Sequence, residues 1–136
     1  MQQPVRQRES TRIDAIGIKP PPAFSIDATT TASGISVLAL DGEFDMAAAA
    51  SIRALVDAAG FRGLVLDLAG VTFVDSSALR ELLHARLRLA ERGGRLVLAA
   101  MPRVVTRLLE ITGTIELFET ASDAGAAVVA VTPPER

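Results

Sequence analysis

A short apolar run, Leu64-Val65-Leu66-Asp67-Leu68, is followed by Val71-Thr72-Phe73-Val74-Asp75-Ser76-Ser77-Ala78-Leu79 and then by leucines at helical spacing. The first run is rich in branched side chains and bounded by glycines, the pattern of a buried strand. Leu79, Leu82, Leu83, Leu87 and Ala90 recur every three or four residues, the pattern of an amphipathic helix. Asp75-Ser76-Ser77 therefore falls where a strand hands over to a helix N-terminus. Hydroxyls at such a junction face unpaired backbone N–H groups and the positive end of the helix dipole, which suits a phosphate. Asp and Ser are also ordinary caps, but no Glu or Gln stands three residues after Asp75, Ser76 or Ser77 to complete a capping box. One hydroxyl is thus expected to cap while the other stays free.

The same alternation runs along most of the chain. Phe24, Ile26 and Ala28 alternate with Ser25, Asp27 and Thr29, as in a half-exposed strand. Ser33-Gly34 marks a turn, and Ile35 to Leu40 gives a second strand, hairpin-paired with the first. Asp45 is placed to cap a helix whose apolar stripe is Ile52, Leu55, Val56 and Ala59. The helix after Ser77 is expected to reach about Arg92 and to stop at Gly93-Gly94 through a left-handed cap. Arg95 to Ala99 is a further strand. Pro102 suits the first turn of a helix carrying Val104, Val105, Leu108, Leu109 and Ile111, which Gly113 ends. Ile115, Leu117 and Phe118 suggest a short edge strand, and Ser122 or Asp123 caps a last helix to about Val131. The expected fold is one α/β domain over residues 24–131: a mixed, mostly parallel sheet of about five strands covered by about four helices. Residues 1–23, ending in Pro20-Pro21-Pro22, are expected to form a flexible tail, and residues 132–136 a C-terminal one.

Composition removes several classes of function. The 136 residues contain no Cys, which excludes disulfides, thiolate metal sites and Cys catalysis. A single His, His84, cannot build a His metal cage, and no metal or other cofactor is expected. A net charge of -2 and 4% aromatic residues give no footing for direct nucleic-acid binding. No apolar run approaches the ~20 residues of a membrane span, and the N-terminus lacks the apolar core of a secretion signal. A cytoplasmic location is expected.

Catalysis at Ser76 fails on distance. His84 lies eight residues along the same helix, ~12 Å down the axis, whereas a general base works at about 3 Å. No Gly-x-Ser-x-Gly elbow or Gly-rich phosphate loop is present, and Gly93-Gly94 follows a helix instead of opening one. Glu43 and Asp45 have the spacing of paired carboxylates, but equally that of a strand end followed by a cap. No catalytic residue is assigned. Arg80, His84, Arg88 and Arg92 share one helix face, a basic ridge suited either to solvent or to an acidic partner surface.

Leu66-Asp67-Leu68 through Leu79 resembles the signature of STAS domains, specifically the bacterial anti-sigma-factor antagonists. Leu40-Asp41-Gly42-Glu43-Phe44-Asp45 resembles the family's Gly-Glu-Leu-Asp segment before its first helix. Gly93 to Leu98 is similar to its Gly-Gly turn and following strand, and Arg107 to Gly113 to its helix ending in Thr-Gly or Ser-Gly. The matches fall in order across residues 24–131. Three departures stand out: Ala78 where the family usually has Gly, Phe44 for the commoner Leu, and Gly113-Thr114 for Gly-Leu. Ala78 is expected to stiffen the turn and to limit the approach of a partner backbone.

The resemblance implies a bacterial, non-enzymatic switch of sigma-factor-dependent transcription that works by exchanging partners. Such a protein binds an anti-sigma factor that is also a serine kinase. The kinase phosphorylates the first serine of the motif, here Ser76, and a dedicated serine phosphatase reverses it. The partner surface implied comprises Glu43, Asp45, Asp75, Ser76, Ser77, Ala78, Arg80 and His84. The alternative is a STAS interaction subunit of a lipid-transport or stress-sensing complex.

Overall fold

The computed structural model describes residues 24–58, 60 and 62–132; the tail expected at 1–23, and all but Thr132 of the one expected at 132–136, lie outside the described residues. Five strands form one sheet in chain order: β1 (Phe24–Thr30), β2 (Ile35–Phe44), β3 (Gly63–Val74), β4 (Arg95–Ala99) and β5 (Glu119–Ala121). β1 runs antiparallel to β2 and the remaining neighbours are parallel, so the sheet is mixed and mostly parallel. Helices α1 (Met46–Ala58), α2 (Ser76–Glu91), α3 (Arg103–Ile111) and α4 (Ala124–Val131) connect or follow the strands.

Strand parity divides the core in two. Leu64, Leu66 and Leu68 of β3 and Leu96 and Leu98 of β4 face one side, where they pack with residues of α1, α2 and α3. Val65 and Val97, on the alternate positions, face the other side and meet Ala127 and Val131 of α4. Both faces being covered explains why these strands read as continuous apolar runs.

Several boundaries differ from expectation. β2 continues through Asp41-Gly42-Glu43 to Phe44, with register shifts between Ala39 and Asp41 and between Gly42 and Glu43. β3 does not stop at Leu68 but runs on to Val74, because Gly70 admits a neighbour that a side chain would exclude. A Cβ there would collide with the Asp41 carboxylate and lie 3.0 Å from the Leu40 carbonyl oxygen. β4 pairs with β3 only as far as Asp67. Beyond that point β2 and β3 project as a pair, with Gly42 opposite Val71, Glu43 opposite Phe73 and Phe44 opposite Val74.

In β1 the alternation fails: Ser25 is buried and Ala28 exposed, since both faces of the strand are covered only toward its N-terminal end. In α1, Leu55 is exposed and the buried positions are Ala48, Ala49, Ile52 and Val56. In α2 the buried stripe is Ala78, Glu81, Leu82, Ala85 and Leu89, while Leu87 and Ala90 are exposed. Small alanines facing inward let the helix sit close to its neighbours, and Leu79 and Leu83 pack along the flanks.

The edge strand expected at 115–118 is a 3₁₀ turn over Ile115–Leu117, and the strand follows at Glu119–Ala121. Ile115 and Phe118 both reach the larger core, and their separation of three residues matches the three-residue turn of a 3₁₀ helix. Other punctuation follows expectation. Arg92 ends α2, Gly93 takes the left-handed conformation (φ 74°), and Gly94 N–H returns to Leu89 O at 2.7 Å. Asp123 caps α4 by accepting from the Ala126 amide at 2.8 Å.

Candidate functional site

The paired end of β2 and β3 delivers two helix N-termini side by side. Phe44 ends β2 and is followed by Asp45 and α1; Val74 ends β3 and is followed by Asp75 and α2. Asp45 caps α1 as expected, its carboxylate accepting from the Ala48 amide at 3.1 Å. Asp75 has extended backbone (φ -138°, ψ -167°), and its Oδ1 accepts from the Ser77 and Ala78 amides at 2.9 and 3.3 Å. The cap is therefore Asp75, not a serine. The carboxylate takes the amides that were expected to be open to a hydroxyl or a phosphate, and it complements the helix dipole as well.

With that duty filled, neither serine hydroxyl has a hydrogen-bond partner among the described residues. Ser76 is the first residue of α2 and is exposed; Ser77 is half-buried. Ala78 is fully buried against the core, so its methyl seats the helix and offers no surface to a partner. Glu43 is exposed beside Phe73.

Two shallow grooves flank the Asp75-Ser76 turn. Thr72, Phe73 and Val74 line one with Val104, Arg107, Leu108 and Ile111 of α3. Phe73 and Ile111 are 46% and 75% exposed there, an apolar rim next to the turn. The other groove lies between the first turns of α1 and α2, lined by Met46, Ala49, Ala50, Arg53, Ser77, Arg80 and Glu81.

The basic ridge of α2 divides between these surroundings and the far end of α1. His84 Nε2 lies 2.9 Å from Asp57 Oδ1, and Arg88 Nε donates to the same oxygen at 3.1 Å. Arg88 Nη1 also meets Glu91 Oε1 at 3.1 Å. Arg92 donates to the Val56 and Asp57 carbonyls at 3.0 and 3.2 Å, closing the C-terminal end of α1. The hydrogen bond from His84, followed by that from Arg88, holds the Asp57 carboxyl below the usual carboxylate range despite an opposing desolvation effect. Arg80, at the N-terminal end of the ridge, has no ion pair or hydrogen bond among the described residues.

Glu81 was not singled out in the sequence. It is 3% exposed, and its Oε1 accepts from Arg53 Nε at 2.9 Å while Oε2 has no partner among the described residues. Burial pushes its pKa up, and Arg53 pulls it part of the way back. The available signal was a lone carboxylate between Ala78 and Leu82, on the side of the helix that carries the core.

Among the described residues no side chain hydrogen-bonds to the Ser76 hydroxyl: the Asp75 carboxylate is occupied with the helix amides, and His84 is engaged two turns away on Asp57. No cluster of His, Cys, Asp or Glu able to hold a metal occurs among the described residues, and no described helix is long and apolar enough to cross a membrane.

The STAS domain family model matches residues 28–127. The chain belongs to the STAS domain family. An anti-sigma factor antagonist from Mycobacterium paratuberculosis shares its structure with a TM-score of 0.71 at 26% identity, over 85% of this chain and 100% of that one. The Bacillus cell fate determinant SpoIIAA in its phosphorylated form aligns with a TM-score of 0.66 at 21% identity, covering 79% of this chain and 99% of that one. The SulP transporter STAS domain of Vibrio cholerae aligns with a TM-score of 0.59 at 21% identity, covering 93% and 95%.

Proposed function

We propose that this STAS domain is an anti-sigma-factor antagonist that binds an anti-sigma factor with serine-kinase activity and releases it when Ser76 is phosphorylated. The observation that carries the reading is the division of labour at the α2 N-terminus. Asp75 does the capping and leaves the Ser76 hydroxyl exposed and unbonded, so a kinase can reach it without undoing the helix. The likeness to the mycobacterial antagonist supports the partner class. A serine phosphatase would restore the binding form. The chain itself does no catalysis in this scheme; it acts in the cytoplasm, where bacterial sigma factors work, and controls transcription through its partners.

The switch works by charge placed inside a fitted surface. A phosphate adds about -1.5 to -2 charge where a neutral hydroxyl stood. Asp75 on the same turn and the exposed Glu43 nearby on β2 and β3's paired end already make the surroundings partly acidic. Desolvating that added charge, or opposing it to a partner carboxylate, costs binding energy, and each 1.4 kcal/mol lost weakens affinity about tenfold. Glu43, Asp45, Asp75, Ser77, Arg80 and His84 make up the proposed partner face, with Ala78 supporting it from below.

Capture of the partner by wild type, Ser76→Ala and Ser76→Asp tests this directly. Ser76→Ala should bind as wild type does, and Ser76→Asp should lose at least about tenfold in affinity. Equal binding by all three removes the switch. It would favour the second reading, an interaction subunit of a transport or stress-sensing assembly, to which the likeness to a transporter STAS domain lends support.

A further inference from the structure

A phosphate on Ser76 meets a helix terminus whose amides are in large part already taken. The Ser77 and Ala78 amides already donate to Asp75, and the carboxylate that holds them repels a second anion. The added charge then calls for a side-chain cation. Four arginines stand on α1 and α2 (Arg53, Arg80, Arg86 and Arg88), with Arg92 just beyond. Arg53 is held by Glu81, and withdrawing it would strand a buried carboxylate whose other oxygen already has no partner. Arg86 donates to the Leu117 carbonyl, Arg88 binds Asp57 and Glu91, and Arg92 closes the end of α1.

Arg80 is the exception among these five, and Arg107, which lines the groove beside Thr72 to Val74, stands on α3 and not on the helix that carries Ser76. Arg80 is exposed, it has no ion pair or hydrogen bond among the described residues, and it lies four residues after Ser76 on the same helix. Residues four apart are neighbours on a helix surface, and side chains lean toward the N-terminus. The guanidinium of Arg80 therefore sweeps the turn that carries Ser76, and its planar fork matches a phosphate.

We propose that Arg80 is the built-in counter-charge for a phosphate on Ser76, drawn back along α2 onto the modified residue while Asp75 keeps the cap. The proposal rests on Ser76 as the modified serine and adds how the modified state is held. One event then does two things. It adds an anion to the partner face, and it withdraws from that face the arginine of these two helices that was uncommitted.

The test uses the full chain with phosphoserine placed at position 76 during translation, so that no kinase is needed. Phosphorus NMR then follows the second ionisation of the phosphate, ordinarily near about pH 6. In the wild-type background its midpoint should lie roughly half a pH unit below that of Arg80→Gln, a gap that shrinks as salt is raised. Arg88→Gln, which removes the same charge from the same helix away from the turn, should keep the low midpoint. Identical midpoints in wild type and Arg80→Gln overturn the proposal, as does an equal rise in Arg88→Gln, which would mean a diffuse field and not a contact. A failure here leaves partner switching to be judged on the Ser76→Ala and Ser76→Asp capture, which involves no phosphate.

Discussion

Asp75 and Ser76 split two tasks that a strand-to-helix junction can give to a single residue. Asp75 satisfies the helix amides; Ser76 is left to the solvent. Asp75→Ala should therefore lower stability by about 1 kcal/mol, the usual loss for a capping side chain, whereas Ser76→Ala should cost less than about 0.5 kcal/mol. Urea unfolding measures both, and a Ser76→Ala loss as large as that of Asp75→Ala would reassign the cap. The sequence pointed to one of the two serine hydroxyls as the cap, because all three adjacent residues are good capping types and local spacing does not separate them. The choice is made by where β3 stops. With Val74 the last residue of the strand, Asp75 is the one with extended backbone and a side chain beside the first free amides. Ala78 shows the same limit: the substitution is visible in the sequence, but only its burial shows that the methyl points into the core.

At the scale of elements, α1 and α2 are joined by charge as well as by their apolar faces. The Asp57 clasp with His84 and Arg88 holds the C-terminal end of α1, and the Arg53–Glu81 pair ties the helices one turn earlier. Their acid responses have opposite sign. Asp57 has a lowered carboxyl, so it binds fewer protons folded than unfolded; its stabilisation is present above the unfolded pKa near about 4 and fades as pH falls through the folded value. Asp57→Asn should flatten the loss of stability on acidification in that range. Glu81 has a raised carboxyl, so its contribution is full below the unfolded pKa near about 4.3 and is lost as pH rises through the folded one. Glu81→Gln should compare best with wild type near neutrality and lose ground as the pH drops toward 4. Urea midpoints of the three proteins across about pH 3 to 7 check both slopes, and parallel curves would contradict them. The ridge itself was legible as a charged helix face. Its partner, Asp57 on another helix, was not, since no local pattern links residues 27 and 31 positions apart.

For the whole molecule, the decisive feature is the reach of β2 and β3 past the end of β4. Gly70 permits that reach by letting Asp41 and the Leu40 carbonyl come close. Gly70→Ala should lose about 1–3 kcal/mol, with hydrogen exchange rising first in Val71 to Val74 and in Glu43 and Phe44, while the middle of β3 stays protected. Uniform deprotection would show that the extension is not a separate unit. The projecting pair carries Asp45 and Asp75 to the same end of the molecule and leaves Phe73 beside α3 with much of its ring uncovered.

The amino-acid sequence by itself determined the α/β class, the mixed parallel sheet, the glycine stops at Gly93 and Gly113, and the junction at Asp75-Ser76-Ser77. Each of these is written in short-range periodicity or in a residue type that the backbone conformation demands. The tertiary structure alone decided which face of α2 is buried, which residue caps it, that Ile115–Leu117 is a 3₁₀ turn, and which arginines are committed. Those outcomes depend on what lies across the sheet or on the neighbouring helix, so they come from contacts between distant residues. The Asp75-Ser76-Ser77 turn was legible from local chemistry and Ser76 within it from the family resemblance; that its hydroxyl is free, and that Arg80 stands uncommitted one turn away, became visible only once the rest of the chain had folded around them.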